Sequence, residues 1–178
     1  MRIFAETERL ILREIVNMDV DTLFEMDSDP LVHTYLGNNP IRTKKETATI
    51  IDFIRKQYAE YGIGRWAAVE KQTGNFIGWS GLKYITEVEN NHINFYDVGY
   101  RFMPKYWGKG FATESAKAAI RYGFEMLKTN EIYGIAHINN IASRKALENC
   151  GLRYIESFNW KDMTCDWLKI TYQEWINK

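Results

Sequence analysis

Only two cysteines and three prolines occur in 178 residues, and the charges cancel, 23 Lys plus Arg against 23 Asp plus Glu. Cys150 and Cys165 are too few for a disulfide framework, and a chain of this length can bury a core without one. The missing basic excess argues against a protein whose main task is to coat nucleic acid, so no direct nucleic-acid partner is expected. No stretch approaches the roughly 18–20 apolar residues that a membrane helix needs. The opening MRIFAETERLILRE has no apolar run of the kind found in secretory signals. A cytoplasmic protein without membrane attachment is the expectation. His33, His92 and His137 show no ligand spacing, so no metal is expected. G-x-G-x-x-G after a strand is absent because position 113 is Thr, and G-x-x-x-x-G-K-[ST] is absent too. A dinucleotide dehydrogenase or a nucleoside-triphosphatase is therefore disfavoured.

Apolar residues make up 46% of the chain and charged residues 26%, as in folded globular proteins. No linker, repeat or low-complexity segment interrupts it, which predicts a single domain over residues 1–178. Leu10–Glu14 reads as a first strand and 19–27 as a short helix stopped at Asp29-Pro30. Thr43 and Glu46 make a capping box for a second helix, in which Ala48, Ile51, Ile54, Tyr58 and Tyr61 recur at helical spacing. Residues 66–70 and 76–79 flank a Gln72–Asn75 turn as hairpin arms, with further strands ending at Ile85 and spanning 93–103. A helix over 110–127, a strand over 132–138, a helix over 141–149 and strand material from Leu152 onward complete the pattern. Two strands joined through a long helix imply a parallel pair. The expected fold is thus α/β: a mixed, mostly antiparallel sheet with a central parallel pair and helices on both faces.

Chemistry concentrates in Asp97–Glu114. A strand ends near Pro104, and Gly108 and Gly110 frame a tight turn that opens directly into a helix. A helix start carries unpaired N–H groups and partial positive charge, which suits a pyrophosphate, and glycines let the backbone approach its oxygens. Ala112, Ala116, Ala119, Ile120, Gly123 and Leu127 form a stripe that would let this helix sit close to the sheet. Thr113, Lys117 and Arg121 lie on another face, as phosphate contacts or as ordinary solvated polarity.

Lys105-Tyr-Trp-Gly108-Lys-Gly110 resembles the acyl-CoA-binding motif Q/R-x-x-G-x-G/A of the GNAT N-acetyltransferases. Asn140-Ile-Ala-Ser143, followed by Glu148-Asn-Cys-Gly151-Leu, is similar to that family's second motif. The opening Thr7-Glu-Arg-Leu-Ile-Leu-Arg13 resembles the branch that acetylates ribosomal-protein N-termini. The resemblance implies acetyl-CoA as cosubstrate and a strand pair that splays to admit pantetheine, with backbone contacts from Tyr100, Arg101 and Phe102. It places the pyrophosphate on the backbone of Trp107, Gly108, Lys109, Gly110, Phe111 and Ala112, and sets Asn140 against the CoA arm or simply as a helix N-cap. It also implies direct attack by an amine, with Asp97 as the base, acting through water or with a raised pKa, or else as a polar or substrate-orienting residue, and with Ser143 as the acid or else as first-turn polarity of its helix. Two departures stand out. Lys105 replaces the usual Gln or Arg, and Leu147 stands where many members carry a proton-donating tyrosine. The implied acceptor is a primary amine: a protein N-terminus, or else a polyamine, amino sugar or antibiotic. A non-catalytic acyl-CoA-binding module is the reading from a different class. Oligomeric state, a homodimer included, is left open.

Overall fold

The computed structural model describes residues 1–177. Its strands are β1 (Ile3–Glu6), β2 (Leu10–Glu14), β3 (Arg65–Glu70), β4 (Phe76–Ile85), β5 (Phe95–Phe102), β6 (Glu131–His137), β7 (Arg153–Trp160) and β8 (Met163–Thr171). They form one eight-stranded sheet in the order β1-β2-β3-β4-β5-β6-β8-β7. Every neighbouring pair is antiparallel except β5–β6. Helices α1 (Val20–Asp27) and α2 (Lys44–Tyr61) cover one face. Helices α3 (Phe111–Glu125), α4 (Ile141–Cys150) and α5 (Tyr172–Ile176) cover the other. The mixed sheet with a central parallel pair and helices on both faces is therefore as the sequence predicts. No helix among the described residues is long and apolar enough to cross a membrane.

The larger core lies between α3 and the sheet, where Leu10, Leu12, Trp66, Leu82 and Ile132 are fully buried. Burying each such side chain contributes about 1.5–3 kcal/mol. Phe4 stacks on Trp66 with centroids 4.9 Å apart, and Tyr122 of α3 meets the same indole edge-on at 5.2 Å. The small-residue stripe brings α3 close to the strands as expected. A Cβ on Gly123 would lie 2.7 Å from Ile132 Cδ1 and 2.8 Å from Leu82 Cδ1. Larger residues there would push the helix off the sheet.

Several local expectations are corrected. The two strands anticipated between Phe76 and Ile85 are one continuous strand, β4. Strand β1 escapes the sequence reading because four residues, half of them exposed, carry too short a pattern to register. The tail beyond Leu152 divides into the β7–β8 hairpin and α5, which is capped by a Thr171–Glu174 box. At α2 the Thr43 hydroxyl accepts from Glu46 N (3.3 Å) but donates to the Glu46 carboxylate (2.7 Å), so the reciprocal half of the capping box is not made. The buried stripe of α2 is Thr47, Ile51, Ile54 and Gln57; Ala48 and Tyr61 are exposed.

Candidate active site

β5 is held very differently on its two sides. Toward β4 it pairs through all eight residues, Phe95 to Phe102. Toward β6 the register holds only at Asp97–Tyr133. Meanwhile β6 is paired over its whole length with β8, so it does not follow β5 and the two strands part beyond Asp97. Met103 N donates to Ile77 O on β4 (3.1 Å). Strand alternation then turns the N–H and C=O of Tyr100 and Phe102 toward the opening and those of Arg101 toward β4, opposite Trp79. Of the three residues expected to supply backbone contacts, Arg101 therefore faces the wrong side. The Phe102 carbonyl is taken by the Trp107 indole N–H (2.7 Å). The opening thus presents both backbone groups of Tyr100 and the N–H of Phe102.

At the end of β5 the chain makes a 3-10 turn over Pro104–Tyr106 and enters α3 through Gly108 (φ +72°) and Gly110 (φ +83°). Trp107 N donates to Pro104 O (3.0 Å), which removes it from the expected phosphate contacts. From Gly108 to Thr113 no backbone N–H has a backbone acceptor among the described residues, and the first helical bond is Glu114 N to Gly110 O (3.0 Å). These donors, beside two glycines at a helix start, fit a linked pair of phosphates. Arg9, which the sequence marks only as part of the Thr7–Arg13 likeness, braces the turn. Its Nη1 donates to Lys109 O (2.9 Å) and its guanidinium lies 4.3 Å from the Phe111 ring centroid. Glu114 anchors Arg9 at 2.6 Å and accepts from the Thr7 hydroxyl (2.6 Å) and Arg9 N (2.9 Å). Burial alone would raise the Glu114 pKa, but these hydrogen bonds outweigh it and hold the carboxyl below its usual range. Lys117 and Arg121 are exposed.

On the α2 face, Asp97 is buried and ion-paired with Arg65, each side chain 13% exposed. Arg65 Nη1 also donates to Gly81 O (2.6 Å) and Asp97 O (2.8 Å). A Cβ on Gly99 would come within 2.7 Å of Arg65 Nη2, so the guanidinium occupies space that only glycine leaves. Burial pushes the Asp97 pKa up, against the opposing pull of Arg65. Trp79 lies between Arg65 (5.3 Å) and Arg101 (5.1 Å), and Arg101 pairs with the buried Asp27 at 2.8 Å. Nothing in the sequence marks Arg65 or Asp27, since neither belongs to a motif and both partners are remote in the chain. Lys83, cross-strand from Asp97, is pushed down by burial and then by Arg65, while Glu89 is pushed up by burial and then by Asp97.

Across the opening, Tyr100 Oη donates to Ser143 O (2.8 Å) and lies 3.3 Å from Ser143 Oγ. Burial raises the Tyr100 pKa, favouring the protonated phenol. Asn140 caps α4 by accepting from Ser143 N (3.1 Å). Leu147 is 1% exposed, and its methyls lie 3.0–3.1 Å from where a Cβ on Gly134 would sit, so it fills the core beneath β6. Among the described residues no group of three or more His, Cys, Asp or Glu could hold a metal ion.

Residues 9–153 match the acetyltransferase (GNAT) domain family. Over 149 residues the chain is 31% identical to the uncharacterized protein YkkB of Bacillus subtilis, covering 83% of this chain and 84% of that one. The fold is that of a GNAT-family acetyltransferase from Bacillus anthracis (TM-score 0.78, 23% identity, 97% of this chain and 99% of that one). A spermidine N-acetyltransferase from Vibrio cholerae, in complex with CoA and spermine, is also similar (TM-score 0.75, 19% identity, 96% and 100% covered). A strand that parts from its parallel neighbour and runs into a donor-rich turn is thus matched by sequence kinship over most of the length, and the chain belongs to the GNAT family of acetyl-CoA-dependent acetyltransferases.

Proposed function

We propose that residues 1–178 act as one domain that moves an acetyl group from acetyl-CoA to a primary amine by direct attack, in the cytoplasm and without a metal. The observation that carries this reading is the single β5–β6 register position followed by open backbone donors from Gly108 to Thr113. Tyr100 and Phe102 would hold the pantetheine arm as a strand would, and Gly108, Lys109, Gly110, Phe111 and Ala112 would cradle the pyrophosphate. Asn140 would border the arm through the amide left over from capping. Acetyl-CoA supplies an activated thioester: the new C–N bond forms as C–S breaks, the ammonium proton leaves, and the thiolate is protonated. Asp97 receives the amine proton through water, its raised pKa making it a better base than an exposed carboxylate. Ser143, held beside the Tyr100 phenol, donates to the departing sulfur.

For the acceptor we favour a small amine. A protein N-terminal α-amine is the second reading, supported by the likeness of Thr7–Arg13 to the ribosomal-protein branch. Its pKa of about 8, against about 10.4 for an alkylamine, would also lighten the load on the base. The test is release of free thiol from acetyl-CoA with peptides, alkylamines and aminoglycosides. Ser143→Ala is expected to lower kcat about tenfold or more with an unchanged KM for acetyl-CoA. Thiol release with none of the amines would overturn the reading.

A further inference from the structure

A cleft of about 220 Å³ opens between the C-terminal half of α2 and the end of β4, on the same face as Asp97. Lys83 lines it and is the cross-strand neighbour of Asp97, so the cleft begins one residue from the splayed strands. Its wall is aromatic: Tyr61 and Tyr84 lie with ring centroids 5.3 Å apart. Glu87 and Glu89 stand at its rim, and neither is in an ion pair among the described residues. Gln57 also lines it. Although only 5% exposed, its Oε1 has no hydrogen-bond partner among the described residues. A buried acceptor without a donor is costly, and native proteins rarely leave one without a reason.

Resting on the acetyl-transfer reading, we infer that this cleft holds the second, non-reacting ammonium of a diamine or polyamine acceptor. An ammonium has only donors to offer, which suits the unpartnered acceptor Gln57 Oε1 and the two carboxylates, Glu87 and Glu89, that line the cleft outside any ion pair among the described residues. Tyrosine faces attract cations and shelter the methylenes between them. Lys83 opposes a bound cation, and the two rim carboxylates outnumber it; Lys56, the other lining cation, is paired with Glu60 at 3.5 Å. The alkyl chain then runs past Lys83, setting the far amine beside Asp97 and the opening between β5 and β6.

Calorimetry on the protein saturated with CoA, titrated with spermidine or with n-butylamine, tests this without any chemistry. Spermidine is expected to bind at least tenfold tighter than n-butylamine. The double variant Glu87→Gln/Glu89→Gln should lower spermidine affinity about tenfold while CoA affinity stays the same. Gln57→Leu should also weaken spermidine, yet melt at a higher temperature because the orphaned acceptor is gone. Equal affinity for the two amines, or wild-type spermidine binding by the double variant, would overturn the inference. Absence of thiol release with every amine would count against acetyl transfer instead, since this titration reads only the cleft.

Discussion

Two glycines allow the cradle to be separated from ordinary backbone strain. Gly108 sits in the turn before α3 with φ +72°; Gly74 sits in the β3–β4 turn with φ +71°, and a Cβ on either meets nothing within 4 Å. Alanine at each position must adopt a left-handed conformation, which costs about 1–2 kcal/mol. For a chain of this size each kcal/mol lowers Tm by about 2–4 °C, so both Gly108→Ala and Gly74→Ala should melt about 2–8 °C below the parent. Their effects on acetyl-CoA should differ. At Gly108 the added methyl projects into the open space beside the unpaired N–H groups and holds a phosphate away from them. Loss of one hydrogen bond to a charged oxygen is worth about 1.5–3 kcal/mol, or about ten- to hundredfold in Kd. Calorimetry at 25 °C, where both variants are folded, should therefore find weakened acetyl-CoA binding for Gly108→Ala alone. Equal affinities in the two variants, with equal melting points, would refute the assignment of the pyrophosphate to this turn.

The Arg65–Asp97 pair gives a second prediction. Asp97→Asn leaves a buried guanidinium without its counter-ion and should cost about 3–5 kcal/mol in stability, part of it recovered in the double variant Arg65→Met/Asp97→Asn. If Asp97 also takes the amine proton, the single variant, assayed where it is folded, loses about a hundredfold in kcat and the acidic limb of its kcat/KM profile disappears. A purely structural carboxylate would lower Tm and leave that limb in place. Glu114 gives a third. Its folded pKa lies below the unfolded value of about 4.3, so its stabilisation is complete above that pH and is lost as pH falls through the folded pKa. Thermal melts between pH 3 and 7 should show Glu114→Gln less stable than the parent at neutral pH and converging with it in acid, with weaker acetyl-CoA binding from the freed Arg9.

What the sequence disclosed, it disclosed through local pattern. The Gly108–Gly110 turn, the small-residue stripe of α3 and the Asn140 cap each depend on neighbours a few residues away, and each is found where expected. What escaped depends on contacts remote in the chain. Arg9 reaches Lys109 across a separation of 100 residues, and Arg65 reaches Asp97 across 32. An arginine on a strand carries no mark of which carboxylate it will meet. Gln57 is hidden for a different reason. The helical spacing runs along Ala48, Ile51, Ile54 and Tyr58, and a polar residue on the buried side of that stripe breaks the apolar pattern. Such breaks are where function is expected, because a sequence selected for packing alone would place leucine there. The commitment of Trp107 N to Pro104 is likewise invisible in the sequence, since a motif fixes the turn but not which of its donors are already used.

The parted strands impose a requirement that the rest of the molecule meets. An unpaired strand edge inside a sheet invites another strand to fill it, and closure of β6 onto β5 would satisfy the open groups at no cost in chain length. Three contacts oppose closure. β8 holds β6 from Glu131 to His137, the Tyr100 phenol reaches across to the first turn of α4, and the Trp107 indole occupies the Phe102 carbonyl. What is left is a strand edge that presents both backbone groups of Tyr100 and the N–H of Phe102, groups that an extended amide-bearing arm would satisfy. On the proposed reading, the enzyme would trade a few unsatisfied backbone groups, each worth about 1–3 kcal/mol when buried, for a site whose occupant restores them.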